Sequence, residues 1–136
     1  MKSLLIYHHL GVGDHFICAG LVRHLAETHD QIYLPAKRRN LDTIACLYSE
    51  HPRVHVFPID REPDDVTAFH ATVGGPLVRV GFEQCDRARF DESFYEQLGV
   101  DFTYRYSKFA LPARVAHEED AFAELAGNGD YGLVHA

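Results

Sequence analysis

Between Tyr7 and Ala26 the chain reads YHHLGVGDHFICAGLVRHLA, with a Gly-x-Gly turn, an acid and three histidines (His8, His9, His15) inside eight positions. Asp14 is the residue here with the clearest chemistry. A carboxylate facing a cleft can take a proton from an acceptor hydroxyl, because that hydroxyl acidifies as its oxygen bonds to an electrophilic carbon. Asp is also among the best helix N-caps, contributing about 1 kcal/mol by accepting a first-turn N–H. The two roles need different rotamers. Gly11 and Gly13 permit close approaches that a Cβ would block, and the free N–H groups opening the next helix favour an anion nearby. His8, His9 and His15 bracket the turn and suit hydrogen bonding to sugar hydroxyls or to a phosphate. Adjacent residues at a strand end point to opposite faces, so His8 and His9 do not chelate one ion together. There is no CxxC, CxxH or DxD spacing, and no metal is expected. His24 falls on a helix stripe and reads as a packed residue.

A second stretch with chemistry is Phe90–Phe109, rich in aromatics with Arg105 and Lys108 interleaved. It suits a segment packed over the sheet edge. It also suits a substrate wall, since aromatic faces stack on sugar rings while Arg and Lys bind phosphate or carboxylate. A dinucleotide site is the obvious name for a glycine turn after a first strand, but the fingerprint's third glycine is replaced by Phe16 and no acid closes the second strand. Lys37-Arg38-Arg39 would suit a 2′-phosphate, which keeps an NADP-type cofactor-binding domain as an alternative. The phosphate-loop pattern GxxxxGK[ST] does not occur.

The elements that position these residues follow from hydrophobic period. Ser3–Tyr7 is continuously apolar and predicts a strand buried on both faces. From Asp14 to about Thr28, Phe16, Ile17, Gly20, Leu21, His24 and Leu25 form one stripe of an amphipathic helix. Gln31–Pro35 predicts a second strand. Asn40–Ser49 predicts a helix with Leu41, Ile44, Ala45 and Tyr48 inward. Arg53–Pro58 predicts a third strand, Pro63–Thr72 a helix closed by Gly74-Gly75 on the side away from the cleft, and Pro76–Gly81 a fourth strand. Asp91–Leu98 predicts a short helix ended by Gly99, and YRYSKFALP an extended stretch. Ala116–Ala126 predicts an acidic helix stopped at Gly127-Asn128-Gly129, and DYGLVHA a closing apolar strand. Strands alternating with helices predict a single α/β, Rossmann-like, doubly wound and mainly parallel domain over residues 1–136.

The first strand, HHLGVGDHFICAGLVRHLA and the alternating pattern together resemble the N-terminal half of a GT-B glycosyltransferase. The likeness is to the heptosyltransferase-like group, which carries a GxGDxxL-type first loop. FDESFYEQLGVDFTYRYSKFALP and DYGLVHA also resemble segments of that broad group. His15 and Phe16 depart from its commonest choices after the acid, while Ile17 supplies the usual aliphatic residue. The resemblance implies that Asp14 is the general base; His8, His9, Gly11, Gly13, His15, Arg105 and Lys108, read from their own chemistry, would then be the substrate-side residues. It implies a nucleotide-sugar as co-substrate and a glycan or glycolipid acceptor, as in polysaccharide biosynthesis, with no metal. The donor would be held mainly by a C-terminal half absent from these residues, supplied by a second domain or chain. Without it, the alternative is a non-catalytic glycan- or protein-binding module whose uncovered edge is exposed or pairs in a homodimer.

Bulk properties set the outer limits. With 20 acids against 13 bases and a formal charge of −7, the chain is not expected to bind nucleic acid. At 46% hydrophobic and 24% charged residues it has the composition of a globular domain. Three cysteines, Cys18, Cys46 and Cys85, are odd in number and widely spaced, as in a reduced cytoplasmic protein. The apolar start is too short for a signal-peptide core, and no stretch approaches the roughly 20 apolar residues of a membrane span.

Overall fold

A computed structural model describes residues 1–113, 115–127, 129–132 and 134. Four strands, β1 (Ser3–Tyr7), β2 (Gln31–Lys37), β3 (Val54–Ile59) and β4 (Leu77–Arg79), form one sheet in the order β3-β2-β1-β4. Every pairing is parallel, with Leu5 opposite both Tyr33 and Leu77 and Ile32 opposite Val54. Among the described residues six α-helices accompany it: α1 (Val12–Ala26), α2 (Leu41–Leu47), α3 (Asp64–Val73), α4 (Phe90–Glu96), α5 (Tyr104–Ser107) and α6 (Val115–Ala126). The fold is the expected α/β, Rossmann-like one.

Side-chain parity along β1 builds the two layers. Leu4 and Ile6 face a core shared with Cys18, Ala19 and Val22 of α1, Ile44 and Leu47 of α2, and Phe94 and Tyr95 of α4. Leu5 and Tyr7 face a smaller core with Phe57, Ile59 and Val66, to which Phe69 of α3 adds. Strand β1 is therefore central and buried on both sides, as its unbroken apolar run requires.

Strand β2 runs past Pro35, where a stop was expected. The Ile32 N–H bonds Arg53 O, so by alternation Leu34 and Ala36 also face β3, and Pro35 faces β1 beyond the last paired residue, Tyr33. Its missing donor falls where the ladder needs none. On α2, Leu47 is buried and Ala45 exposed, a shift from the expected inner face. The Tyr104–Ser107 segment, expected to be extended, is a helical turn. Asp101 starts it, its Oδ1 accepting from the Thr103 N–H and hydroxyl while its carbonyl accepts from the Tyr104 N–H. The closing strand expected over 130–136 falls partly outside the described residues; Asp130, Tyr131, Gly132 and Val134 are in irregular backbone.

Helix α1 is covered on two sides, which explains its weak amphipathicity. Its sheet side buries His15, Cys18, Ala19, Val22 and Ala26. The expected stripe meets the later chain instead: Phe16 lies 6.1 Å from Phe109 and His24 4.6 Å from Tyr104, ring to ring. Gly20 sits directly against the Tyr104 carbonyl, in the space a Cβ would need. Gly20→Ala is therefore expected to push α5 off α1 and cost about 1–3 kcal/mol, read as a lower urea midpoint.

Tyr95 ties α4 into the same helix. Its hydroxyl donates to Ile17 O at 2.6 Å and accepts from the Leu21 N–H at 3.2 Å, the two groups that a helix joins by its own i→i+4 bond. Tyr95→Phe should cost only about 1 kcal/mol by thermal unfolding, because the helix can close that bond itself. A loss of several kcal/mol would mean that the hydroxyl is the sole support of that turn.

Candidate functional site at the carboxyl edge of the sheet

From β1 the chain winds through β2 and β3, then returns to place β4 on the other side of β1. The β1/β4 boundary is the topological switch point, and doubly wound sheets bind ligands outside the strand carboxyl ends there. Two loops meet at it: His8–Gly11 after β1, and Val80–Phe82 after β4.

Helix α1 begins at Val12, two residues earlier than expected, with Gly11 as its N-cap, which makes Asp14 the third residue of its first turn and not its N-cap. No side chain caps this helix. Asp14 is half-buried, and its Oδ2 lies back over Gly11, 2.7 Å from where a Cβ on that glycine would stand. The carboxylate has no hydrogen-bond or ion-pair partner among the described residues. It is positioned by backbone alone: Gly11 leaves it room, and the first-turn dipole favours its charge. Gly13, the residue before it, is exposed and forms the rim of a hollow of about 450 Å³ walled by Phe16, Ile17, Arg105, Tyr106 and Phe109.

His8 and His15 are fully buried, ring against ring at 4.5 Å in edge-to-face contact. Residue 8 continues the even-numbered face of β1 under α1, and residue 15 comes down from α1 to meet it. The His8 Nδ1–H donates to His9 O, leaving Nε2 without a partner; both ring nitrogens of His15 are also unpartnered. Burial lowers the His8 pKa to about 4 and the His15 pKa to about 2. Both rings are therefore neutral at pH 7, and neither presents an edge to solvent. His9 points elsewhere: its Nε2 accepts the Phe82 N–H at 3.0 Å and its ring lies among Phe82, Phe90 and Phe94.

Arg105 belongs to the same end of α1 as Asp14, lining the Gly13 hollow while paired with Asp91 of α4. Lys108 does not. It pairs with Glu27 just past the other end of α1, over the Tyr104 ring. Thirteen helical residues at about 1.5 Å each put that position roughly 20 Å from Asp14. The structure thus gathers Asp14, Gly11, Gly13 and Arg105, packs His8 and His15 beneath them, and leaves Lys108 apart.

Lys37, Arg38 and Arg39, the candidate 2′-phosphate ligands, line a separate hollow of about 480 Å³ with Ile59, Asp60 and Glu62. Arg38 forks onto Asp60 at 2.9 and 2.8 Å and Lys37 pairs with Glu62 at 3.5 Å, so carboxylates already occupy two of the three cations. Among the described residues no group of three or more His, Cys, Asp or Glu side chains is placed to hold a metal ion. No helix there is long and apolar enough to cross a membrane.

One contact at this edge had no signal in the sequence. Phe82 takes a positive φ of 59° and stacks on His9, a conformation nothing in "VGFEQ" marks in advance. Another, the Tyr7 hydroxyl donating to Glu62 at 2.9 Å, joins residues 55 positions apart. Compared with protein-family models, curated proteins and solved structures, the chain gives no match. Function is therefore read from these residues and their geometry.

Proposed function

We propose that these residues form the acceptor-side half of a glycosyltransferase that moves a sugar from a nucleotide-sugar to a glycan hydroxyl. The observation that carries this reading is the Asp14 carboxylate: half-buried, without a hydrogen-bond partner among the described residues, and seated at the carboxyl edge of a parallel sheet. In the reaction the acceptor oxygen bonds to the anomeric carbon while the bond from that carbon to the nucleotide diphosphate breaks. The acceptor proton passes to Asp14, and the diphosphate leaves with the bonding electron pair. Tyr106, Phe109 and Phe16 give the adjacent hollow apolar faces for sugar rings, and Arg105 gives it a positive charge. The nucleotide-sugar is held by a second domain or chain, no metal takes part, and the protein works in the cytoplasm.

One observation favours a non-catalytic glycan- or protein-binding module as second reading: the cations that would hold an anionic substrate are met internally, Arg105 by Asp91 and Lys108 by Glu27. Incubating the full-length gene product with a panel of nucleotide-sugars and glycan acceptors separates the two. Transfer supports the enzyme. A folded protein that binds glycans without turnover supports the module, and NADPH binding in place of either supports the cofactor domain.

A further inference from the structure

Among the described residues Phe82 is the one non-glycine residue with a left-handed backbone, φ 59°, and it follows Gly81 at φ 90°. A bulky aromatic avoids this region, so something must hold it there. Three groups do. His9 stacks on the Phe82 ring at 4.6 Å, 28° from parallel, and takes its N–H on Nε2 at 3.0 Å. Tyr7 packs against the ring at 4.9 Å, and the Arg79 guanidinium lies 4.5 Å from the ring centroid. Arg79 is itself loosely held, its carboxylate partner being an exposed Glu83 at 3.6 Å. Tyr7 and Arg79 are also two of the six residues around a hollow of about 260 Å³ on the α3 side of the sheet, with Pro63, Val66, Thr67 and Leu77. The Phe82 ring thus stands between this hollow and His9, at the β1/β4 switch point.

The geometry points to Phe82 as a gate that is closed in this structure. Opening rotates the backbone of residue 82 out of the left-handed region while Gly81 stays anchored, its N–H donating to Gln97 Oε1 at 2.7 Å. The ring leaves the Tyr7–His9–Arg79 cluster, and the hollow extends into the volume the ring vacates beside His9. Release of backbone strain offsets the lost ring contacts, which is what makes a local opening accessible without unfolding the sheet. The crevice that results is lined by a phenol, an imidazole nitrogen and a guanidinium, groups that hydrogen-bond polar ligand atoms. The gate is independent of the glycosyltransferase reading, since it involves neither Asp14 nor Arg105.

Native-state hydrogen exchange on the unmodified protein tests it. The Val80 amide, fully buried and bonded to Tyr7 O at 2.9 Å, reports opening of the sheet. A gate predicts that the Phe82 amide exchanges more than tenfold faster than that of Val80, at a rate insensitive to low urea. Exchange within tenfold of Val80, or with the same urea dependence, overturns it. A second readout uses diethyl pyrocarbonate with mass spectrometry of the His9 peptide. Phe82→Gly, which suits the left-handed backbone, should raise His9 modification at least tenfold. An unchanged rate in a folded variant overturns the gate, and if the variant fails to fold, the exchange result alone decides.

Discussion

Lowering the pH from 7 to 4.5 is expected to remove about 3–5 kcal/mol of folding stability, a large share of the roughly 5–15 kcal/mol typical of a folded domain. The cause is the His8–His15 pair. Burial lowers their pKa values from 6.5 to about 4 and about 2. In the unfolded chain both would protonate near pH 6.5. Between pH 6.5 and 4 the unfolded state therefore binds more protons than the folded one, and stability rises with pH across that window. The full contribution is present above pH 6.5 and is lost progressively below it. Carboxylates held below their usual range, such as Asp65 by the Arg61 and Asp60 amides and Asp101 by Thr103, add losses only at lower pH, where unfolded carboxylates protonate. The urea midpoint followed from pH 7 to 4.5 checks this, and a flat profile would contradict the buried, neutral pair. His15→Leu removes two unpartnered buried nitrogens at similar volume. It should raise stability at pH 7 by about 1–2 kcal/mol and roughly halve the acid loss.

The architecture was legible because parallel sheets announce themselves: SLLIY is apolar without alternation, and each following strand is separated from the last by a helix-length segment. The burial of His8 follows from the same parity, since residues 4, 6 and 8 share a face of β1. What could not be read was tertiary. The opening of α1 at Val12 depends on a backbone that two glycines would locally disfavour, and it changes Asp14 from a cap to a first-turn carboxylate. Tyr104–Ser107 carries strand-favouring aromatics, yet the Asp101 turn and the docking of Tyr104 on Gly20 make it helical. Lys108 looked like a neighbour of Arg105 in the chain but pairs with Glu27 past the far end of α1, while Arg105 pairs with Asp91 of α4; these are tertiary partners that spacing along the chain does not give. Phe82 is held in place largely by Tyr7 and His9, more than 70 positions away in the chain, and the residues around it carry no trace of that.

Asp14→Asn is expected to reduce sugar transfer by about 10²–10⁴-fold, the usual contribution of a positioned general base. Asn keeps the shape and polarity of the side chain but holds no lone pair basic enough to accept the acceptor proton. The fold should tolerate the change. The carboxylate has no hydrogen-bond partner to lose among the described residues, and the helix end gives up only its charge interaction, about 0.3–1 kcal/mol. The Gly13–Arg105 hollow does not depend on it, so acceptor binding should persist while turnover falls. The deciding measurement is the initial rate of transfer by the full-length gene product, wild type beside Asp14→Asn, with thermal unfolding recorded for both. A rate lower by 100-fold or more at matched stability is the predicted result; equal rates would contradict Asp14 as the base and with it the catalytic reading of this edge.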